Sequence, residues 1–129
     1  MLLDTHYAYA LAGAPARLRP EEWQMLKVPA STLRVSAVSL WEIRLKWKSL
    51  YRSGQRKGPM SPAQVLPVLQ QLGVSLLPLT ADHAAAVLQT PIKHSDPFDE
   101  LLLVQAQAEG LSLFTRDLLL VKHPLAVSA

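Results

Sequence analysis

The sequence predicts an α/β fold: a mostly parallel sheet of four to five short strands, covered by helices on both faces in a three-layer sandwich. Short apolar runs alternate along the chain with segments whose apolar residues recur at helical spacing. Short apolar strands that alternate with amphipathic helices are typical of a parallel sheet covered on both faces. The 129 residues, half of them hydrophobic, suit a single domain spanning residues 1–129.

The predicted strands are the short apolar runs. In the second of them, the β-branched residues Thr32 and Val35 favour extended backbone. Four runs form the predicted sheet, and a fifth near the end of the chain would extend it. The runs are Met1–Leu3, Thr32–Ser36, Val74–Leu77, Leu111–Phe114 and Leu125–Val127.

Helices are predicted between the strands from helical spacing and from residues that start or stop helices. Pro20, Glu21 and Glu22 are typical of a helix start, because Pro suits the first position and acids suit the positive end of the helix dipole. Gly73 and Gly110 are typical helix stops. The predicted helices are Thr5–Gly13, a helix that starts at Pro20 and ends before Pro29, one of about Ser39–Tyr51, one that Ser61 and Pro62 cap and Gly73 terminates, one from Thr80 or Ala81 to Leu88, and Asp99–Glu109, with a helical turn at Asp117–Val121.

The composition excludes several classes of protein. Without Cys, the chain cannot form a disulfide scaffold, a Cys-type zinc site, an iron–sulfur cluster or a cysteine nucleophile. The apolar runs are too short to span a membrane, and the N-terminus lacks the features of a signal peptide, so we expect a cytoplasmic protein. The glycines never form Gly-x-Gly-x-x-Gly, which excludes a Rossmann-type cofactor domain. The net charge of +3 permits an anionic partner.

Carboxylates fall where ligands bind in such folds, outside the carboxyl ends of the strands. Asp4 follows the first strand, Asp117 follows the fourth, and Glu42 lies one turn into the helix after the second. Asp96 and Asp99 lie at the start of the helix before the fourth strand. Mg²⁺ and Mn²⁺ prefer oxygen ligands and activate water for attack on phosphoryl groups. The sequence therefore predicts a divalent-metal site at this end of the sheet.

Basic residues concentrate in one segment, where the aromatic residues Trp41, Trp47 and Tyr51 interleave with them. An acidic pocket beside a basic and aromatic rim suits the hydrolysis of a polyanion such as RNA, whose phosphates the rim would hold. The predicted RNA-binding residues are Arg44, Lys46, Lys48, Arg52, Arg56 and Lys57.

Four segments carry a resemblance to a known family: Leu2–His6, Val35–Ile43, His94–Asp99 and Thr115–Asp117. Their residues stand in the order seen in PIN-domain nucleases, and the sequence most resembles the VapC-type toxins of bacterial type II toxin–antitoxin pairs. The resemblance covers essentially the whole chain. It implies a PIN-like α/β sandwich, an endoribonuclease that depends on Mg²⁺ or Mn²⁺, and a cognate VapB-like antitoxin as partner.

The resemblance also implies roles for particular residues. Asp4, Glu42, Asp99 and Asp117 would be the catalytic metal-site acids, with Asp96 auxiliary. Thr5 and Thr115 would be hydroxyl neighbours of that site. Apolar helices that contain Trp make a homodimer an expected assembly.

Two features depart from the family pattern. Glu100 stands where relatives usually carry Arg, which adds a negative charge beside the predicted pocket. The loop Lys48–Gly58 is longer and more basic than the usual short connection, which bears on the choice of RNA.

Each predicted site residue also has a purely structural interpretation. Asp4 and Asp99 could cap helices, and Asp117 could be a turn residue. Glu42 could complete a capping box with Ser39. His6 and His94 are not expected to be direct ligands, because hard ions prefer oxygen, and the three Trp residues fit core or interface better than base stacking.

Two other functions remain open from the residues. A PIN fold without catalysis could serve as an RNA-binding or antitoxin-binding module. A phosphatase with an Asp nucleophile typically has a second Asp two residues after the first, a position that His6 occupies here.

Overall fold

The computed structural model describes residues 1–55, 58, 60–94 and 96–129. Its sheet has five strands in the order β3-β2-β1-β4-β5, and every neighbouring pair is parallel. The predicted α/β class and parallel sheet are confirmed, with the fifth strand present. The strands are β1 (Leu2–Leu3), β2 (Arg34–Ser36), β3 (Ser75–Leu77), β4 (Leu113–Phe114) and β5 (Ala126–Val127).

Helices connect the strands, as predicted. Gly73 and Gly110 end the fourth and sixth helices in the left-handed conformation, with φ of 81° and 65°. Within the described residues, no helix is long and apolar enough to cross a membrane. The helices are α1 (Thr5–Gly13), α2 (Pro20–Leu26), α3 (Ala37–Lys48), α4 (Pro62–Leu72), α5 (Ala81–Ala85) and α6 (Pro97–Glu109).

The predicted starts of two helices were wrong, and caps explain both. Helix α3 begins at Ala37 rather than Ser39, because the Ser36 side chain accepts the Val38 amide proton at 2.9 Å. Helix α6 begins at Pro97 rather than Asp99, because Asp96 is its N-cap. Glu42 therefore forms no capping box, and Asp99 is not a cap.

Two predicted helices end earlier than expected. Helix α3 stops at Lys48 rather than Tyr51, and α5 stops at Ala85 rather than Leu88. All five strands also begin later than the apolar runs that predicted them.

The side chains of β1 divide the core into two layers. Leu3 packs with Tyr7 and Phe114 on the face covered by α1 and α4, whereas Leu2 packs on the face covered by α6. This division follows from the strand period of two, which sends successive side chains to opposite faces. The Tyr7 ring stacks on Phe114 with centroids 4.2 Å apart and planes 5° from parallel.

Strand order sets the position of the site. The chain leaves β1 toward β2 and β3 on one side, then crosses to β4 and β5 on the other. Such a reversal opens a crevice beyond the carboxyl ends of the central strands. Asp4 lies directly after β1, and Thr115 directly after β4.

Glu22 forms a buried polar cluster that the sequence did not reveal. Its side chain is 1% exposed and accepts hydrogen bonds from the Tyr7 hydroxyl, the Arg19 amide at 2.8 Å and the Arg116 guanidinium at 3.2 Å. Burial acts to raise the pKa of Glu22, but these donors and the positive charges of Arg116 and Arg19 outweigh it, so its pKa lies below the ordinary value.

We predict that Glu22→Gln destabilises the protein at pH 7 by about 3 kcal/mol, the usual cost of breaking a buried charged cluster. A thermal melt should show a loss on the order of 10 °C. A depressed carboxyl pKa contributes stability above the unfolded-state pKa, and that stability is lost as pH falls through the folded-state pKa. The difference between variant and wild type should therefore shrink as pH falls below about 4.

Glu21→Gln is the matched control, because Glu21 precedes Glu22 in the same helix but its side chain is more than half exposed. It should change the melting temperature little. Equal losses for the two variants would contradict the role assigned to the buried carboxylate.

Candidate metal centre

A pocket of about 460 Å³ opens where the carboxyl ends of the central strands meet the starts of α1, α3 and α6. It gathers all five carboxylates that the sequence singled out. Its acidic lining residues are Asp4, Glu42, Asp96, Asp99 and Asp117.

Asp4 is both a helix cap and part of this pocket. One carboxylate oxygen accepts the Thr5 amide proton at 2.7 Å, and the other accepts the Thr115 hydroxyl proton at 2.6 Å. Burial raises the pKa of Asp4 above its ordinary value; the two hydrogen bonds oppose this, and the charges of Glu42 and Asp117 add to it.

Glu42 projects into the pocket from the second turn of α3. Its Oε1 lies 2.7 Å from the Thr5 hydroxyl, which is also 3.0 Å from the Ser39 hydroxyl. Since Thr5 has one hydroxyl proton, it donates to Glu42 and accepts from Ser39. The other Glu42 oxygen pairs with the Lys46 ammonium at 3.0 Å. The hydroxyls of Thr5 and Thr115 thus lie beside the acids, where the sequence placed them.

Asp99 lies in the first turn of α6, and its Oδ2 accepts a hydrogen bond from His94 Nε2 at 2.9 Å. Burial raises its pKa to about 6; the bond from His94 opposes this, and the negative charges of Asp96, Asp4 and Asp117 add to it. His94 therefore contacts a predicted ligand through its Nε2 atom, although His94 itself does not line the pocket.

Asp96 and Asp117 each accept hydrogen bonds from backbone amides that follow them closely in the chain. Asp96 Oδ1 accepts the amide protons of Phe98 at 2.9 Å and Asp99 at 3.3 Å. Asp117 Oδ1 accepts the amide proton of Leu119 at 2.9 Å. Both acids are thus structural and still line the pocket.

The chemistry of this donor set fits a hard divalent cation. Burial, and to a smaller degree the charges of neighbouring carboxylates, raise the pKa of Asp4 and Asp99, so a bound cation would favour their ionised forms. Oxygen donors alone suit Mg²⁺ or Mn²⁺. Across the described ranges, however, no three acidic or His side chains stand close enough together to hold one ion. Lys46, His94 and Thr115 each bond to one carboxylate instead.

The same pocket has lining residues that the sequence did not single out as site residues. Arg116 belongs to the motif that identified Asp117 but was not itself predicted to be a site residue. No sequence pattern indicated Tyr9 or Arg17, because they reach the pocket only through the packing of α1 and the turn after it. The non-acidic polar lining consists of Thr5, His6, Tyr9, Arg17, Lys46 and Arg116.

Most of the predicted basic rim lies elsewhere. Of its described members, Lys46 lines the pocket, whereas Arg44, Lys48 and Arg52 are exposed and do not. The Arg44 guanidinium lies 5.0 Å from the ring centre of Trp41, which is half exposed. Arg56 and Lys57 lie outside the described residues.

Comparison with known proteins identifies the family. The chain is similar in fold to a chain in the structure of FitAB bound to IR36 DNA fragment, with a TM-score of 0.56 and 23% identity over 90% of this chain and 84% of that chain. No curated protein matches it. The PIN domain family profile matches residues 1–123. The chain therefore belongs to the PIN domain family.

Proposed function

We propose that this protein is a metal-dependent endoribonuclease and the toxin of a VapBC-type toxin–antitoxin pair. PIN domains are generally metal-dependent nucleases. The observation that carries the proposal is the convergence of five carboxylates in one pocket at the carboxyl ends of the central strands. The sequence motifs that resemble VapC-type toxins support RNA as substrate and a VapB-like antitoxin as partner, with a homodimer as the expected assembly.

In this proposal, Asp4, Glu42 and Asp99 hold Mg²⁺ or Mn²⁺, Asp117 binds a second ion or orients the attacking water, and Asp96 is auxiliary. When bound, the ion supplies water activation and neutralises charge on the phosphoryl group.

The protein's own hydroxyls and His94 orient the acids. The hydroxyls of Thr115 and Thr5 fix Asp4 and Glu42, and His94 fixes Asp99, so the carboxylates are oriented before substrate arrives. No side-chain nucleophile is required, because water attacks the phosphorus and the 3′ oxygen leaves.

One observation favours the alternative, a PIN-fold module that binds RNA or an antitoxin without catalysis. In the part of the chain that is described, the carboxylates bond to protein donors and no three converge on one point. The two functions differ in whether a divalent ion binds and RNA is cut.

We predict that the purified protein cuts RNA with Mg²⁺ or Mn²⁺ and stops in EDTA. Asp4→Asn, Glu42→Gln and Asp99→Asn should each lose at least ~100-fold in rate while remaining folded, since each removes preorganised charge from the site. Gel analysis of a labelled RNA measures the rate, and circular dichroism checks the fold.

Glu100→Gln is the control, because this exposed acid follows Asp99 but does not line the pocket. It should cut at nearly the wild-type rate. Undiminished cutting in EDTA would contradict metal dependence, and metal-independent RNA binding without cutting would support the non-catalytic module.

A second prediction follows from the raised pKa of Asp99. A carboxyl pKa near 6 in the folded state means that protonation favours folding: this contribution is complete below the unfolded pKa of about 4 and is lost as pH rises through about 6. In EDTA at pH 7.5, Asp99→Asn should therefore raise the melting temperature, and the gain should fade toward pH 4. Asp96, which caps α6, is unchanged in this variant.

Mg²⁺ at about 100 times its dissociation constant should stabilise the wild type by roughly 2.7 kcal/mol, a rise on the order of 5–10 °C. Asp99→Asn should reduce that rise, whereas Glu100→Gln should retain it. If Asp99→Asn lowers stability in EDTA and leaves the Mg²⁺ effect intact, Asp99 does not belong to the metal site.

A further inference from the structure

The carboxylate pocket has a second side that the proposed metal site does not use. We name it the cationic wall, and its residues are His6, Tyr9, Arg17, Lys46 and Arg116. They come from α1, the turn after it, α3 and the segment after β4, so four separate parts of the fold bring them together.

The guanidinium groups of this wall do not neutralise the acids of the pocket. Arg116 pairs with Glu22, which lies outside the pocket lining and is buried behind it. Arg17 is exposed and forms no ion pair within the described residues. Arg17 thus brings to the pocket lining a positive charge without an acid partner, and Arg116 retains guanidinium donors beyond the one bonded to Glu22. A ligand that carries negative charge would complement these donors.

Tyr9 gives an independent observation. Its side chain is 5% exposed, and its hydroxyl has no hydrogen-bond partner among the described residues. Burial raises the pKa of this phenol, so the hydroxyl keeps its proton and remains a donor. The positive charges of Lys46 and Arg17 act to lower this pKa and the negative charge of Glu42 acts to raise it, so the phenol lies near both cations and an acid of the pocket. A buried donor without an acceptor destabilises a fold, so its presence needs an explanation.

His6 repeats this pattern. Its Nε2 atom is buried and also lacks a hydrogen-bond partner among the described residues. Two unpartnered polar atoms thus occur on the wall of one pocket, next to three cationic side chains. A phosphate group, with several acceptor oxygens and a negative charge, matches both the donors and the cations.

We propose that the cationic wall binds a phosphate of the RNA strand, with the Tyr9 hydroxyl and the Arg17 and Arg116 guanidinium groups as donors. This inference rests on the proposed nuclease function and deepens it, because it assigns the substrate-binding side of the same pocket. It assigns the main phosphate contact to the cationic wall rather than to the exposed basic segment that begins at Arg44.

Tyr9→Phe tests the hydroxyl, with Tyr7→Phe as its matched control. Removing an unpartnered donor should leave the melting temperature unchanged or raise it, while RNA binding weakens about threefold to tenfold. Tyr7→Phe removes a hydroxyl that does have a partner, Glu22, so it should lower the melting temperature and leave RNA binding near the wild-type value. Fluorescence anisotropy of a short labelled single-stranded RNA in EDTA measures binding without turnover.

Arg17→Gln tests the charge, with Lys27→Gln as control. Both residues are exposed and carry one positive charge, but only Arg17 lines the pocket. Arg17→Gln should weaken binding about tenfold and lower the slope of log K against log salt by about 0.7, the value for one lost phosphate contact on a single strand. In Mg²⁺ its KM for cleavage should rise about tenfold with kcat little changed. Lys27→Gln should resemble the wild type in all three measurements.

The results separate this inference from the function on which it rests. If the wild type binds and cuts RNA while Tyr9→Phe and Arg17→Gln both bind like it, the inference is overturned and the function stands. If Tyr9→Phe lowers stability without weakening binding, the hydroxyl is structural and the inference is overturned. If the wild type neither binds nor cuts RNA, the proposed function fails and the inference fails with it.

Discussion

Negative charge crowded at the carboxyl ends of the central strands is the constraint on which this structure depends. Two acids in the pocket have pKa values above their ordinary range, because burial and neighbouring carboxylates both disfavour their ionised forms. The protein supplies a donor to each carboxylate: hydroxyls to Asp4 and Glu42, an imidazole to Asp99, and backbone amides to Asp96 and Asp117. These bonds orient the acids, and the Lys46 ammonium that pairs with Glu42 offsets part of their mutual repulsion.

Capping and function are not alternatives in this pocket. Asp4 and Asp96 each accept backbone amide protons at a helix start, and each also lines the pocket. A helix N-terminus carries partial positive charge, so it can hold an acid in place and lessen the cost of crowding it against others. The interpretation of Asp4 as a helix cap was therefore correct and is compatible with a metal site, whereas the capping role of Asp96 was not predicted.

The sheet and the set of pocket acids could be predicted from the sequence, because both depend on short-range patterns. Apolar runs and the residues directly after them are local features, and parallel pairing then brings Asp4, Glu42 and Asp117 to one edge. The starts of α3 and α6 were less predictable, since Ser36 and Ser39, or Asp96 and Asp99, are equally good caps by residue type. Tertiary contacts decide between them: Ser39 is buried against Thr5, and Asp99 is bonded to His94.

Residues that reach the pocket through tertiary packing could not be found from the chain order. Glu22 looked like an acid at an exposed helix start, yet it is buried because Tyr7 and Arg116, which is 94 residues away, both bond to it. Its partner Arg116 bonds to this buried carboxylate and also lines the pocket. The same residue therefore contributes both to the stability of the core and to the charge of the pocket.

Features that are unusual in protein interiors occur together at this pocket. Crowded acids and an unpartnered Tyr9 hydroxyl each cost stability, and a sequence under selection for folding alone would remove them. The rest of the described core is apolar and well packed, or polar and paired as at Glu22. Such costs at one pocket are expected where ligands supply the missing partners: a cation on the acidic side and an anion on the cationic wall.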